Sequence, residues 1–245
     1  MRQQLTATGA RGFVVGLSGG IDSAVVARLA QLAAPGHVVA AILPCHSDPQ
    51  DERDAALVAA QFSIPTIRID LSASYDALVA ESQAAVQTLP PQMRTASAPP
   101  GDPRARLPLA NIKARLRMTT LYFLANSLTY FVAGTSNRAE IAVGYFSKHG
   151  DGGADLLPIG RLLKSEVRTL ARELKIPSSI IERTPSAGLW VGQSDEEEMG
   201  FSYAELERYL EDGPQGVSPA LAMRIERLTR SSEHKRSLPP MPEQE

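Results

Sequence analysis

The sequence predicts an α/β fold: a doubly wound parallel sheet with helices on both faces. Short apolar runs, bounded by glycine and proline, alternate with longer segments whose apolar residues recur at helical spacing. Strands and helices that alternate in this way form parallel sheets, because each helix returns the chain to the starting edge of the sheet. The chain has 245 residues, 43% of them hydrophobic, so we expect a single domain over residues 1–245.

Each element is assigned from its apolar pattern and from the turn residues around it. The predicted strands are 12–17, 37–43, 65–70 and 128–133. The predicted helices are 22–34, 49–62, 72–86, 110–127, 161–174, 202–211 and 219–231. The irregular, proline-rich residues 89–108 predict a mobile surface loop, and the charged end of the chain predicts a C-terminal tail from about residue 232.

Composition narrows the class of protein. The formal net charge is -2, which gives no broad basic surface for nucleic acid. No stretch reaches the roughly 18 uninterrupted apolar residues of a membrane helix, and the N-terminus lacks the pattern of a secretory signal. The single cysteine, Cys45, has no internal disulfide partner and ends a predicted strand, where a small buried residue is usual. We expect a cytoplasmic protein that binds neither nucleic acid nor a membrane.

The segment Ser18-Gly19-Gly20-Ile21-Asp22-Ser23 lies between the first predicted strand and the first predicted helix. Glycines let the backbone approach an anion closely, and the N–H groups of a first helical turn point toward it. An aspartate beside phosphates requires a cation between them, so Asp22 is interpreted as a Mg²⁺ ligand. The segment lacks the lysine of a Walker A loop. The alternative is a plain strand-to-helix turn.

The SGGxDS pattern resembles the PP-loop ATP pyrophosphatases, and five further blocks narrow the resemblance. The blocks are 111–118, 134–140, 144–155, 185–190 and 192–196. Together, and in this order, they closely resemble the ammonia-dependent NAD synthetases over about residues 12–236. This family has an adenine nucleotide alpha hydrolase-like, Rossmann-like fold. The resemblance therefore implies the same fold class as the apolar pattern.

The resemblance also implies a reaction. With ATP and Mg²⁺, such enzymes transfer AMP to the nicotinate carboxylate of deamido-NAD, and ammonia then displaces AMP to give NAD, AMP and pyrophosphate. A carboxylate resists amidation until its oxygen becomes part of a good leaving group. A glutaminase would need an activated cysteine and more chain, so ammonia is expected to enter directly or from a separate supplying protein. The family's enzymes are homodimers.

Site residues follow from the positions that match the family's blocks. ATP is expected to contact Gly16, Leu17, Ser18, Gly19, Gly20, Ile21, Asp22, Ser23, Thr135, Lys164 and Ser186. Mg²⁺ is expected on Asp22 and Glu140, and the catalytic pair is Asp22 and Lys164. Deamido-NAD is expected to contact Arg115, Lys148, Asp155, His234 and Lys235.

Several of these residues have a plainer interpretation. Glu140 is also placed to stabilise the first turn of a helix, and Lys164 on an exposed helix face would simply be solvated. Arg115 has two basic neighbours, Lys113 and Arg117, either of which is an alternative contact. Residues 144–155 are interpreted either as a flexible turn or as a segment that orders over substrate and excludes water. The tail that contains His234 is most simply a solvated one.

Two other functions stay open from the sequence. Another PP-loop enzyme, such as one that modifies tRNA, would be expected to show cysteine pairs or a basic face. A nucleotide sensor without activity would be expected to lack Asp22, Glu140 or Lys164, and all three are present. One departure from the family concerns the N-terminus. Related synthetases usually have a helix before the first strand that contributes to the homodimer, whereas about eleven residues precede Gly12 here.

Overall fold

The computed structural model describes residues 1–94, 103–186, 188, 190 and 193–242, without the side chains of 103–105. Its strands are β1 (Phe13–Gly16), β2 (Val38–Ile42), β3 (Thr66–Arg68) and β4 (Phe131–Val132). Its α-helices are α1 (Arg2–Thr8), α2 (Ile21–Ala33), α3 (Pro49–Gln61), α4 (Ser72–Gln87), α5 (Pro103–Leu128), α6 (Arg138–Val143), α7 (Lys164–Glu173), α8 (Ser178–Ile181), α9 (Asp195–Met199), α10 (Tyr203–Asp212) and α11 (Pro219–Ser231).

The four strands form one parallel sheet in the order β3-β2-β1-β4. The chain moves outward from β1 through β2 to β3, and then returns to the other side of β1 as β4. An isolated parallel bridge between Ala133 and Leu156 extends this edge. The direction of winding therefore changes between β1 and β4, and the carboxyl end of β1 faces the crevice where open α/β sheets bind ligands.

Successive residues of β1 face opposite sides of the sheet, and each side has its own core. Phe13 and Val15 belong to the cluster that includes buried residues of α2, α3 and α7. Val14 belongs to the second cluster, with Tyr75 from α4 and Ala125 from α5. Both faces are therefore covered by helices, which confirms the predicted fold class.

A third hydrophobic cluster lies outside the two faces of the sheet. It joins α6, α10 and α11 through Val143, Leu206 and Ile225, and it includes the buried ring of Tyr203. The sequence pattern predicts α10 and α11 as helices. It does not predict that they form a separate layer whose inner side reaches α6.

Three predicted boundaries are wrong by three residues or more. Helix α7 begins at Lys164 instead of residue 161. Helix α5 begins at Pro103, so 103–108 lie in a helix instead of the predicted loop. The first turn of a helix tolerates a proline such as Pro103. Pro108 removes one backbone hydrogen bond, which is a small part of those in a 26-residue helix. Strand β4 begins at Phe131 instead of residue 128, because α5 runs to Leu128 and Thr129 turns the chain with a φ of 58°. Residues 95–102 of the predicted loop lie outside the described part of the chain.

The two ends of the chain also differ from the prediction. Near the N-terminus, α1 packs through Met1 and Leu5 against the first core cluster, and Arg2 donates to the carbonyl of Leu32. Near the other end, residues 233–235 form a 3-10 turn. Arg236 donates a hydrogen bond to the Ile141 carbonyl over 3.0 Å. Residues 233–236 are therefore packed against α6 instead of forming a free tail.

Among the described residues, no helix combines the length and the apolar character needed to cross a membrane.

Candidate active site

The segment 18–23 connects β1 to α2, as predicted, and its serines brace the turn. The Ser23 hydroxyl donates to the Gly20 carbonyl over 2.9 Å and accepts from the Ser18 backbone N–H over 3.2 Å. The two serine hydroxyls lie 3.1 Å apart. The first turn of α2 begins at Ile21, where backbone N–H groups have no acceptor within the helix. This end of the helix is the part of the fold that favours an anion.

Gly19 has a backbone conformation and a position that a larger residue would not tolerate. Its φ is 82°, and a Cβ atom there would lie 2.5 Å from the carbonyl oxygen of Asp51 in α3. Gly20 differs, since a Cβ atom there would find its nearest neighbour 3.4 Å away, at the Ser18 hydroxyl. The turn is therefore fixed at Gly19 by left-handed backbone and by close contact with α3.

Three predicted site residues from distant parts of the chain meet at the first turn of α2, next to the segment 18–23. Lys164 is 2% exposed, and its ammonium donates to Asp22 Oδ2 and lies 3.6 Å from Glu140 Oε1. Asp22 comes from α2, Glu140 from α6, and Lys164 is the first residue of α7. The plain interpretation of Lys164 as a solvated surface residue is wrong. We call Asp22, Asn137, Glu140 and Lys164 the acidic pocket.

Asn137 connects the two carboxylates of the acidic pocket. It is fully buried, and its side-chain amide donates to Asp22 Oδ1 over 3.3 Å and to Glu140 Oε1 over 2.7 Å. Asn137 and Glu140 also form the capping box of α6. The helix-stabilising interpretation of Glu140 is therefore confirmed, and the same carboxylate still faces Lys164. The sequence reasoning missed Asn137, although asparagine followed three residues later by glutamate indicates a capping box.

The charges of the acidic pocket shift the pKa values of its members. Burial, followed by the repulsion from Asp22, raises the pKa of Glu140 to about 8. Burial lowers the pKa of Lys164, but the attraction of Asp22 and Glu140 outweighs it and the net shift is upward. When Glu140 is ionised, the two carboxylates outnumber the single ammonium of Lys164, and the buried site carries negative charge. Such a site favours an added cation.

The donor set of the acidic pocket suits Mg²⁺. Carboxylate oxygens are the ligands that this ion prefers, and it usually takes one or two of them together with phosphate and water. Asp22 and Glu140 would hold it beside the first turn of α2, where nucleotide phosphates are expected. Among the described residues, no group of three or more His, Cys, Asp or Glu side chains is placed to hold a metal ion.

A cleft of about 320 Å³ is lined by Ser186, Arg183 and Asp51. It lies near the segment 18–23, which we call the phosphate turn. Arg183, on its wall, donates to Asp54 Oδ2 over 2.9 Å and to Asp51 Oδ1 over 2.5 Å. Asp51 is the residue whose carbonyl oxygen lies against Gly19. The ion pairs of Arg183 thus join the segment that contains Ser186 to α3 and to the phosphate turn. Arg183 was not among the predicted site residues.

Three of the predicted deamido-NAD residues, Arg115, Lys148 and Lys235, form a second group around the segment 144–153. The guanidinium of Arg115 donates to the Lys148 carbonyl over 3.3 Å, and the ammonium of Lys148 donates to the His234 carbonyl. Lys235 donates to the carbonyls of Gly144 and Phe146, each over 2.7 Å. We call Arg115, Lys148 and Lys235 the basic group. All three cations meet backbone carbonyls.

The other predicted residues occupy more varied positions. The Asp155 carboxylate accepts from the Val132 backbone N–H over 2.7 Å and from the Tyr122 hydroxyl over 3.2 Å, so it fixes the bridge beside β4. Thr135 lies between β4 and α6, two positions before Asn137. Of the basic neighbours considered for Arg115, Arg117 donates to the Leu43 carbonyl over 3.1 Å. Arg117 therefore contacts the end of β2, and the Lys113 ammonium lies 5.5 Å from the centre of the Tyr75 ring. Arg115 contacts the segment 144–153.

Cys45 is fully buried, and burial raises the pKa of its thiol. This confirms the expectation of a small buried residue. A catalytic thiolate needs the opposite shift in its pKa.

The acidic pocket is connected through Tyr203 to the block 192–196, to which the sequence analysis gives no role. Tyr203 is 4% exposed, and its hydroxyl lies 3.3 Å from Glu140 Oε1 and 3.1 Å from Asp195 Oδ2. The Tyr145 hydroxyl lies 3.1 Å from Asp195 Oδ1. A signal was present in the sequence, since the block 192–196 contains this aspartate. The spacing of apolar residues in α10 predicts only that Tyr203 lies on the apolar face of that helix.

Comparison with known proteins identifies the family of the chain. A family model described as NAD synthase matches residues 1–239. An NH(3)-dependent NAD(+) synthetase from Carboxydothermus hydrogenoformans is 47% identical over 99% of this chain and 93% of its own length. The match therefore covers nearly the whole of both chains.

Two solved structures share the fold. An NMN synthetase from Francisella tularensis has a TM-score of 0.86 and 38% identity, covering 98% of this chain and 93% of its own. An NH3-dependent NAD synthetase from Campylobacter jejuni has a TM-score of 0.76 and 27% identity, covering 99% of this chain and 93% of its own.

Proposed function

This chain belongs to the NAD synthase family, and from that premise we propose how its own residues perform the reaction. It is an ammonia-dependent NAD synthetase, a ligase that forms a carbon–nitrogen bond with ATP as co-substrate. The observation that carries the assignment of residues is the acidic pocket. Asp22, Glu140 and Lys164 come from three helices and meet at the start of α2, directly after the phosphate turn.

We propose that the triphosphate lies along the phosphate turn, with residues 16–23, Thr135, Lys164 and Ser186 as its contacts. Mg²⁺ held by Asp22 and Glu140 would neutralise charge on the phosphates and on the departing pyrophosphate. Lys164 adds a compact charge that is already held beside Asp22. The nicotinate carboxylate attacks the α-phosphorus, an oxygen–phosphorus bond forms, and the bond to pyrophosphate breaks. Asp22 and Lys164 are the catalytic pair in this proposal.

In the second step, ammonia attacks the carbonyl carbon of the adenylate and a carbon–nitrogen bond forms. AMP leaves with the electron pair of the broken carbon–oxygen bond, and the nitrogen loses one proton to solvent. Water competes with ammonia for the same carbon, so the site must be shielded. The segment 144–153, packed against the basic group, is the proposed cover. The one cysteine of the chain is buried with a raised thiol pKa, which does not suit a glutaminase nucleophile. We propose direct entry of ammonia, with a separate supplying protein as the alternative.

The proposed deamido-NAD contacts are Arg115, Lys148, Asp155, His234 and Lys235. Support comes from their placement, because Arg115, Lys148 and the turn 233–235 are linked by hydrogen bonds along one segment. Hydrogen bonds to backbone carbonyls do not neutralise the positive charge of these cations, which can still attract a pyrophosphate. Asp155 is the least direct of the five, since its carboxylate already fixes the backbone of β4.

The test is a reaction of the purified chain with ATP, Mg²⁺, ammonium and deamido-NAD, followed by identification of the products. NAD, AMP and pyrophosphate are expected, and glutamine in place of ammonium should give little product. Omission of Mg²⁺ should stop the reaction. ADP as the product would overturn the phosphate-turn assignment, and AMP formed only with another acceptor would reject deamido-NAD.

The same reaction should be measured with a second substrate as the acceptor of AMP, because one structural relative is named an NMN synthetase. The corresponding acceptor here would be nicotinate mononucleotide, which carries the same carboxylate without the AMP half. Comparison of kcat/KM for the two acceptors decides between them. A higher value for the mononucleotide would assign the chain to NMN formation.

We also propose a cytoplasmic homodimer. Helices α4 and α5 pack on one face of the sheet, and they carry exposed apolar side chains at Leu78, Val86 and Phe123, the last 68% exposed. Exposed apolar groups of this size on adjacent helices suit a subunit contact. Light scattering after size exclusion should give a dimer mass for the wild type and a monomer mass for Phe123→Glu. A monomeric wild type would reject this proposal.

A further inference from the structure

A buried polar network lies next to the acidic pocket, on α9 and α10. Asp195 opens α9, and Tyr203 opens α10. Both side chains are only 4% exposed. Neither the phosphate turn nor the basic group requires them. Buried polar side chains are costly unless their bonds are satisfied, so a network of this kind indicates a purpose in the fold or in the site.

Tyr203 contacts two members of the acidic pocket in different ways. Its hydroxyl lies 3.3 Å from Glu140 Oε1, and the Lys164 ammonium lies 5.0 Å from the centre of its ring. The first contact fixes a carboxylate oxygen, and the second stabilises a cation over an aromatic face. One side chain thus limits the positions of both groups that would meet the metal-bound nucleotide.

Asp195 holds the tyrosine in place. Its Oδ2 atom lies 3.1 Å from the Tyr203 hydroxyl, and its Oδ1 atom lies 3.1 Å from the Tyr145 hydroxyl. The Tyr203 backbone N–H donates to the Glu196 carboxylate over 2.9 Å. Both ends of Tyr203 are therefore fixed by the block 192–196.

We propose that Tyr203 and Asp195 are positioning residues, which hold Glu140 and Lys164 in the arrangement that receives the magnesium-bound nucleotide. The inference rests on the proposed metal role of Glu140. Groups that orient metal ligands affect metal affinity strongly, and their removal typically costs about 10- to 100-fold. Neither residue is expected to touch the substrate.

The experiment measures Mg²⁺-dependent binding without turnover. The ligand is an ATP analogue with a methylene group between the α and β phosphorus atoms, and the readout is the Mg²⁺ concentration at half-maximal binding. Tyr203→Phe keeps the ring over Lys164 and removes only the hydroxyl. Tyr209→Phe is the matched control, because Tyr209 lies on the same helix and packs in the same cluster. Glu140→Gln tests the underlying metal role.

We expect Tyr203→Phe to raise the half-maximal Mg²⁺ concentration about tenfold, Glu140→Gln to raise it at least as much, and Tyr209→Phe to leave it unchanged. An unchanged Glu140→Gln midpoint would reject the metal role itself. A shifted Glu140→Gln midpoint with an unchanged Tyr203→Phe midpoint would reject only the positioning role. A purely structural role would lower the melting temperature and leave the midpoint in place. If Tyr203→Phe does not fold, Asp195→Asn replaces it with the same expected shift.

Discussion

The acidic pocket and the basic group hold their charges in opposite ways. In the acidic pocket, the Lys164 ammonium and the Asn137 amide bond to carboxylates of other helices, and every member is largely buried. In the basic group, Lys148 and Lys235 bond to backbone carbonyls near the surface. The pocket is organised by charge before any ligand binds. The basic group lacks opposing carboxylates in these bonds, so its positive charge remains available to an anion.

This difference predicts different losses when a residue is changed. In the acidic pocket, a lost charge leaves a buried partner unpaired, and the effect should appear in the chemical step. In the basic group, a lost charge removes binding to one substrate, and the effect should appear in the KM for that substrate. Of the four predictions below, the three that measure substitutions come first, ordered from the largest expected effect to the smallest, and the fourth concerns pH.

Asp22→Asn should lower kcat at least a hundredfold while the fold stays intact, because it removes a metal carboxylate and the main partner of Lys164. A hundredfold is about 2.7 kcal/mol of activation free energy. Pyrophosphate release measures the loss, and circular dichroism checks the fold. Asp212→Asn is the control, since Asp212 is an exposed aspartate at the last residue of α10. Near-normal turnover of Asp22→Asn would refute the metal role.

Gly19→Ala should destabilise the protein by about 2 kcal/mol or more, because the left-handed backbone alone costs a residue with a Cβ atom about 1–2 kcal/mol. The new Cβ would also lie 2.5 Å from the Asp51 carbonyl oxygen. Gly20→Ala adds the same methyl group with its nearest neighbour at 3.4 Å. Urea unfolding of the two variants should separate them clearly. Equal stabilities would show that the turn is not fixed by α3.

Arg115→Gln should raise the KM for deamido-NAD roughly tenfold, about 1.4 kcal/mol, and leave the KM for ATP and kcat close to wild type. The physical reason is the loss of a cation that bonds to the Lys148 carbonyl, outside the acidic pocket. Arg172→Gln, at the exposed end of α7, gives a matched loss of charge. A parallel fall in kcat for Arg115→Gln would erase the distinction between the two regions.

The last prediction concerns the pH dependence of stability in the absence of divalent cations. The pKa of Glu140 is about 8 in the folded protein, against an ordinary value of 4.5. Between these values the folded state binds more protons than the unfolded state, so this group makes stability fall as pH rises from about 4.5 to about 8. Melting temperatures measured with a chelator should show the fall, and Glu140→Gln should reduce it. An equal fall in both proteins would assign the dependence to other groups.

The spacing of apolar residues predicted the strands of the sheet and most of the helices, because the residues of an element that face the core recur with the period of that element. The errors lie where two elements compete for the same residues. Helix α5 continues to Leu128, into residues that also have strand character, and Thr129 makes the turn between them. Residues 233–236 have the composition of a tail, yet Lys235 reaches the carbonyls of Gly144 and Phe146. Such contacts depend on a distant segment that no local pattern contains.

The sequence by itself determined the parallel α/β architecture, the phosphate turn and the family, since these depend on periodicity and on contiguous blocks. Only the tertiary structure decided that Asn137 joins Asp22 to Glu140, and that Tyr203 and Asp195 stand behind them. These residues come from four separate segments of the chain. Their proximity arises because parallel strands deliver their carboxyl ends to one crevice, and because the third hydrophobic cluster brings α10 against α6.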